Sequence, residues 1–164
     1  MDLQQDERRG IGSVQTRFHT FADEEPLSLR SGEELGPVTL SYETHGQLND
    51  NRDNAILVFH ALSGSHHIAG HTAEVPDVGS RWNEECHVGW WDRFVGPGKA
   101  VDTDRFFVVC ANYLGGCYGS TGPSSVNPKT GRPYGASFPR IRAADVVDSQ
   151  IHLLDHLGID KLHA

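Results

Sequence analysis

Four stretches of this chain carry residue types and spacings that can do chemistry. The first is His60-Ala61-Leu62-Ser63-Gly64, which closes the apolar run Ala55 to Phe59. Small residues and a polar turn after a strand leave the backbone N–H groups of Ala61, Leu62 and Ser63 outside a sheet ladder, where they can receive an oxyanion; a turn that satisfies them internally is the competing reading. The second is the histidine group His60, His66, His67 and His71. If helical, His67 and His71, four apart, would share one face as half of a zinc site. No zincin glutamate accompanies His66-His67 and no cysteine lies near, which favours loop-packing histidines. The third is Asn112 to Pro123, NYLGGCYGSTGP, whose glycines suit a phosphate cradle but follow neither phosphate-loop spacing, and no helix pattern starts after them. The fourth is Cys117 within that loop, which has no neighbouring His or Lys in sequence to lower its thiol pKa.

The elements that must position these residues follow from hydropathy. Ala55-Ile56-Leu57-Val58-Phe59-His60 and Phe106 to Ala111 are apolar at nearly every position, the pattern of strands covered on both faces in a parallel sheet. Before them, Arg17 to Phe21, Leu27 to Leu29 and Val38 to Glu43 read as three short antiparallel strands, with Ser31 to Glu34 as a turn and Asn49 to Asp53 as a polar loop. Trp90, Trp91 and Phe94 predict a short apolar helix face packed over the sheet and ended by Gly96-Pro97-Gly98. From Ala143 the spacing predicts an amphipathic helix with Val146, Val147, Ile151, Leu154 and Leu157 on its apolar face. Asp145, Asp148, Gln150 and Asp155 fall largely on the other, and Gly158 ends it. Lys161 to Ala164 then reads as the first residues of a third parallel strand. The fold class is α/β, a doubly wound sheet with an antiparallel edge, and in such sheets chemistry sits at the carboxyl ends of the strands.

With 164 residues, a net charge of −8 and no Lys/Arg stripe, the chain suits neither nucleic acid nor an anionic membrane as main partner. No run of 18 apolar residues and no signal peptide are present, so a cytoplasmic location is expected. Cys86, Cys110 and Cys117 are odd in number and lack CxxC spacing, which fits reduced thiols. Residues 1–15 read as a polar tail and 16–164 as the amino-terminal part of one domain.

Taken in order, HALSGSHHIAG, GWWDRFVGPGKAVDTDRFFVVCAN, LGGCYGSTGPSS, NPKTGRPYG, FPRIR and LLDHLGIDKLHA resemble the amino-terminal half of homoserine O-acetyltransferases, members of the α/β-hydrolase superfamily. The resemblance covers roughly residues 16 to 164. It implies an incomplete α/β-hydrolase fold that stops just before the nucleophile elbow, the sharp strand-to-helix turn carrying the family's serine. It also implies transfer of an acetyl group from acetyl-CoA, a co-substrate, to the hydroxyl of L-homoserine on the way to methionine, with no bound cofactor and no metal. The full-length protein is expected to be a homodimer acting on small molecules. Leu62 matches the position whose backbone N–H forms half of the family's oxyanion hole; Ala61, Ser63, Gly64 and Asn112 are expected beside the substrate. Ser63 stands where the family commonly has Thr. The family's catalytic Ser, Asp and His have no matching positions here, and Ser63, Ser120 and Ser125 are not promoted to nucleophile. The 164 residues alone are expected to be inactive. Acetyl and succinyl donors, and homoserine and serine acceptors, stay open, as does a non-catalytic binding module.

Overall fold

A computed structural model describes residues 10–164, so residues 1–9 of the expected polar tail lie outside the described residues. Its elements are β1 (Arg17–Phe21), β2 (Leu27–Ser28), β3 (Glu34–Leu35), β4 (Val38–His45), β5 (Ala55–Val58), β6 (Val95–Gly96), β7 (Val101–Asp102), β8 (Phe107–Ala111), β9 (Val126–Asn127), β10 (Arg132–Pro133) and α1 (Ala143–Leu157). The main sheet has the order β1-β4-β8-β5, with β1, β4 and β8 antiparallel in turn and β5 parallel to β8. On the free side of β5, Leu162 bridges Ala55 in parallel, and the His163 N–H donates to the Ala55 carbonyl at 2.7 Å. The expected third parallel strand therefore begins beside β5.

Strand β8 explains its own continuous hydrophobicity. Val109 and Ala111 enter a core with Leu40, Tyr42 and Leu153, while Val108 and Cys110 enter a second core with Ile68, Ala69 and Val95 on the other face. Strand β5 is shorter than its sequence predicts: the ladder to β8 ends at Val58, and Phe59 is 47% exposed because the chain leaves the sheet there to make the next turn. Strand β4 alternates strictly. Val38, Leu40 and Tyr42 face α1, and Ser41, Glu43 and His45 face the opposite side, where they too are buried.

Three expectations change. The stretch Leu27 to Leu29 is not part of the main sheet: Leu27–Ser28 pairs with Glu34–Leu35 as a separate ribbon, so Glu34 is a strand residue rather than turn. The segment around Trp90, Trp91 and Phe94 forms successive single turns instead of a helix. Its amides are drawn away from a helical ladder, the Trp91 N–H donating to the Ile68 carbonyl at 2.8 Å, and all three rings are at least 40% exposed.

The third change concerns α1, whose buried face is rotated from the predicted one. Asp145, Ser149, Gln150 and Leu153 are buried, while Val147 and Ile151 are about half exposed. Asp145 is pulled inward because its carboxylate accepts two backbone N–H groups, those of Arg142 and Arg30, each at 2.7 Å. Capping of this kind outweighs the alternation of apolar residues in setting the helix's rotation. At the other end Gly158 takes the left-handed conformation (φ 67°), and the Arg52 guanidinium lies where a side chain would stand, donating to the Gly158 carbonyl at 2.6 Å. No helix among the described residues is long and apolar enough to cross a membrane.

Candidate active site

The end of β5 passes through His60 into a tight turn in which the Gly64 N–H donates to the Ala61 carbonyl at 2.7 Å. A Cβ at Gly64 would stand 3.1 Å from that carbonyl oxygen and 3.3 Å from His60 Nδ1, so a larger residue would press on the turn. Among the described residues, the N–H groups of Ala61, Leu62 and Ser63 make no hydrogen bond. The turn therefore leaves the amides unused, as an oxyanion site requires. The Leu62 side chain is 95% exposed and packs on nothing, so the position of its N–H is set by the flanking residues.

A cleft of about 900 Å³ brings the expected residues together: Leu62, Ser63 and Gly64 on one wall, Asn112 and Gly115 to Tyr118 on another, and Phe138, Arg142 and Val146 on a third. Ala61 is not in the wall; its carbonyl is occupied by the turn and by His60 Nδ1 at 2.7 Å. That contact makes His60 an Nδ1–H donor. Burial lowers its pKa, so the ring is neutral and its Nε2 carries a lone pair without a partner. Asn112, also buried, has its backbone committed to Ser41 and Ser120, leaving its Nδ2 without a partner beside Gly116. One buried acceptor and one buried donor thus border a largely apolar cleft.

His67 and His71 do not share the helical face that a zinc site would need, because residues 60–72 are irregular. His67 is buried and His71 exposed, and among the described residues no group of three His, Cys, Asp or Glu side chains is arranged to hold a metal ion. Instead His66 and His67 turn beneath the sheet toward Glu43. His67 Nδ1 lies 2.9 Å from Glu43 Oε2, and its Nε2 lies 3.1 Å from the His87 carbonyl. Thr16 Oγ1 sits 3.3 Å from Glu43 Oε1 and 2.9 Å from His66 Nε2. Burial pushes Glu43 upward, while the His67 hydrogen bond and charge pull it down; the same bond and charge raise His67 in spite of its burial. Burial lowers His66 to about 3 and His45 to about 4, so both are neutral. This cluster was not singled out from sequence. Its one signal was the polar alternation Ser41, Glu43, His45, which an edge strand would normally show to solvent.

Cys117, in the cleft wall, is exposed, whereas burial raises the Cys110 thiol and keeps it protonated. Residues 10–15 of the expected tail run beside His71, with the Val14 N–H donating to its carbonyl at 2.9 Å.

No protein-family model matches the chain. It is 50% identical over 153 residues to a homoserine O-acetyltransferase of Solidesulfovibrio magneticus, covering 93% of this chain and 36% of that protein. It is 54% identical over 158 residues to a homoserine O-succinyltransferase of an Azoarcus species, covering 96% and 39%. Among solved structures it is similar to esterase E22 (TM-score 0.78, 37% identity, 93% of this chain and 40% of that one). It is also similar to homoserine O-acetyltransferase from Bacillus anthracis (TM-score 0.76, 35% identity, 92% and 38%). The chain thus spans less than two-fifths of the length of the curated relatives described.

Proposed function

We propose that this chain, which corresponds to the amino-terminal part of the homoserine O-acetyltransferase family and carries part of its α/β-hydrolase fold, supplies the oxyanion side of an acyl-transfer site. The observation that carries the reading is the set of unused amides at Ala61, Leu62 and Ser63, just past the carboxyl end of a parallel strand, with Leu62 and Ser63 at the rim of a cleft. The reaction moves an acetyl group from acetyl-CoA to the hydroxyl of L-homoserine through a serine acyl-enzyme, a step of methionine biosynthesis in the cytoplasm. When an elbow serine attacks the thioester carbonyl, the electron pair moves to oxygen. The Leu62 N–H donates to that oxyanion, which collapses with loss of the CoA thiolate. The homoserine hydroxyl then loses its proton as it attacks the acyl-enzyme; the same amide holds the second oxyanion, whose collapse breaks the ester bond to the elbow serine, and the serine oxygen takes up a proton. Ser63, Gly64 and Asn112 border the acyl and acceptor groups. No residue of this chain is assigned as nucleophile, acid or base.

Supporting the choice of reaction, the curated relatives are named homoserine O-acetyltransferase, with one named a succinyltransferase. A second reading, ester hydrolysis with water as acceptor, is favoured by the similarity to esterase E22. Both share the acyl-enzyme step. The protein carrying this chain should release CoA thiol from acetyl-CoA in a homoserine-dependent manner. Thiol release or acetate formation at the same rate without homoserine would establish the hydrolase reading instead, and faster release from succinyl-CoA would change the donor.

A further inference from the structure

We propose that Glu43 and His67 are positioning residues for the Leu62 amide: their buried contact fixes the downstream end of the 61–67 turn, as Tyr113, whose hydroxyl donates to the His60 carbonyl, fixes its upstream end. The inference rests on the reading that Leu62 is the oxyanion donor.

Four observations support it. His67 Nε2 faces the His87 carbonyl oxygen, and Nδ1 faces a carboxylate. Acceptors on both sides require a proton at each ring position, one of them shared with Glu43. Glu43 and His67 are at most 1% exposed, and a buried charged pair is a poor source of stability compared with apolar packing, so its value lies in fixing an arrangement. The pair joins β4 to the segment that leaves the turn, and Thr16 and His66 extend the same chain of hydrogen bonds. Finally, the exposed Leu62 side chain holds nothing, whereas the main chain after it is tied down: the Trp90 indole N–H donates to the Ser65 carbonyl at 3.0 Å.

The charged and titratable groups around the pair are His45 and His66, which are neutral, the Cys110 thiol, and Asp92, which acts on His45. None supplies a competing cation.

The test is Glu43→Gln in the protein that carries this chain, with three readouts. The kcat for acyl transfer should fall about tenfold to a hundredfold with the acyl-donor KM held within about twofold, because a displaced oxyanion donor is felt in the transition state and hardly in the ground state. The Leu62 and Ser63 amides should become more mobile by ¹⁵N relaxation. His67 should lose its doubly protonated ¹⁵N ring signature at pH 7. A folded variant with unchanged kcat and unchanged amide relaxation overturns the proposal. Should E43Q fail to fold, Thr16→Val removes one partner of the Glu43 carboxylate and is expected to mobilise the same amides; no change there overturns it equally. A protein inactive with every donor would refute the functional reading alone, since the relaxation and ring-nitrogen readouts do not depend on turnover.

Discussion

Tyr113 lays its ring on the His60 imidazole, with centroids 3.8 Å apart, and donates its hydroxyl to the His60 carbonyl oxygen. One residue of the glycine-rich loop after β8 thus holds the carboxyl end of β5 by both a face and a hydrogen bond. Tyr113→Phe keeps the stack and deletes the bond. It should cost about 0.5–1.5 kcal/mol of stability in urea unfolding. An unchanged midpoint would show that the carbonyl is equally well served by water.

If the Leu62 main chain does the chemistry, its side chain and its amide should respond differently. Leu62→Ala should leave kcat within about twofold, because the side chain is 95% exposed. Replacing the Leu62 amide by an ester, which removes the N–H, should lower kcat by about a hundredfold to a thousandfold. Equal effects from the two changes would move the oxyanion donor elsewhere.

Acid should weaken the fold through two buried histidines. His45, lowered to about 4, and His66, lowered to about 3, both mainly by burial, remain neutral in the folded protein at pH values where the unfolded chain has already taken up protons at its ordinary value near 6.5. The unfolded state binds more protons in that window, so stability falls as pH drops from about 6.5 toward 4, with roughly 3 kcal/mol at stake for His45. His67, raised by Glu43, has the opposite sign: its contribution is complete below its unfolded value and fades as pH rises through its folded one. Glu43, pushed up by burial, opposes the histidines in part. Urea unfolding between pH 7 and 4.5 should show the decline, and His45→Asn should flatten it; an unaltered slope in that variant would reject the assignment.

Gly89 has no room for a side chain, because a Cβ there would overlap the backbone of Ala69. Gly89→Ala should therefore lower the thermal midpoint, with a cost of about 1–3 kcal/mol, since the obstruction is backbone that cannot rotate aside. A midpoint equal to the parent's would mean that the 88–91 segment shifts freely.

Much of the fold was legible where one force acted alone. The run Phe107 to Ala111 could only be a strand with both faces covered, and Gly158 could hardly be anything but a helix stop. The turn at Ala61 to Gly64 was legible for the same reason, a small-residue break after a buried strand. What sequence misplaced were residues under two competing demands. Asp145 reads as solvent-facing, yet two distant amides draw it inside. His66 and His67 read as surface or loop-packing histidines, but their partner Glu43 sits more than twenty positions away on a neighbouring strand, a pairing that local sequence does not encode. Periodicity reports burial and says nothing about which polar groups will find each other within it.

The joint between Arg52 and the end of α1 has a consequence for the order of assembly. Arg52 and Gly158 are 106 residues apart, and the contacts of Arg30 with Asp145 and Asp148 span 115 and 118. Helix α1 is local and can form within its own fifteen residues, but every one of these tethers closes a long loop whose entropy is recovered only after β4, β8 and β5 are side by side. Docking of the helix should therefore come late in folding. Substitutions at Arg30 and Arg52 should accelerate unfolding while leaving the refolding rate nearly untouched.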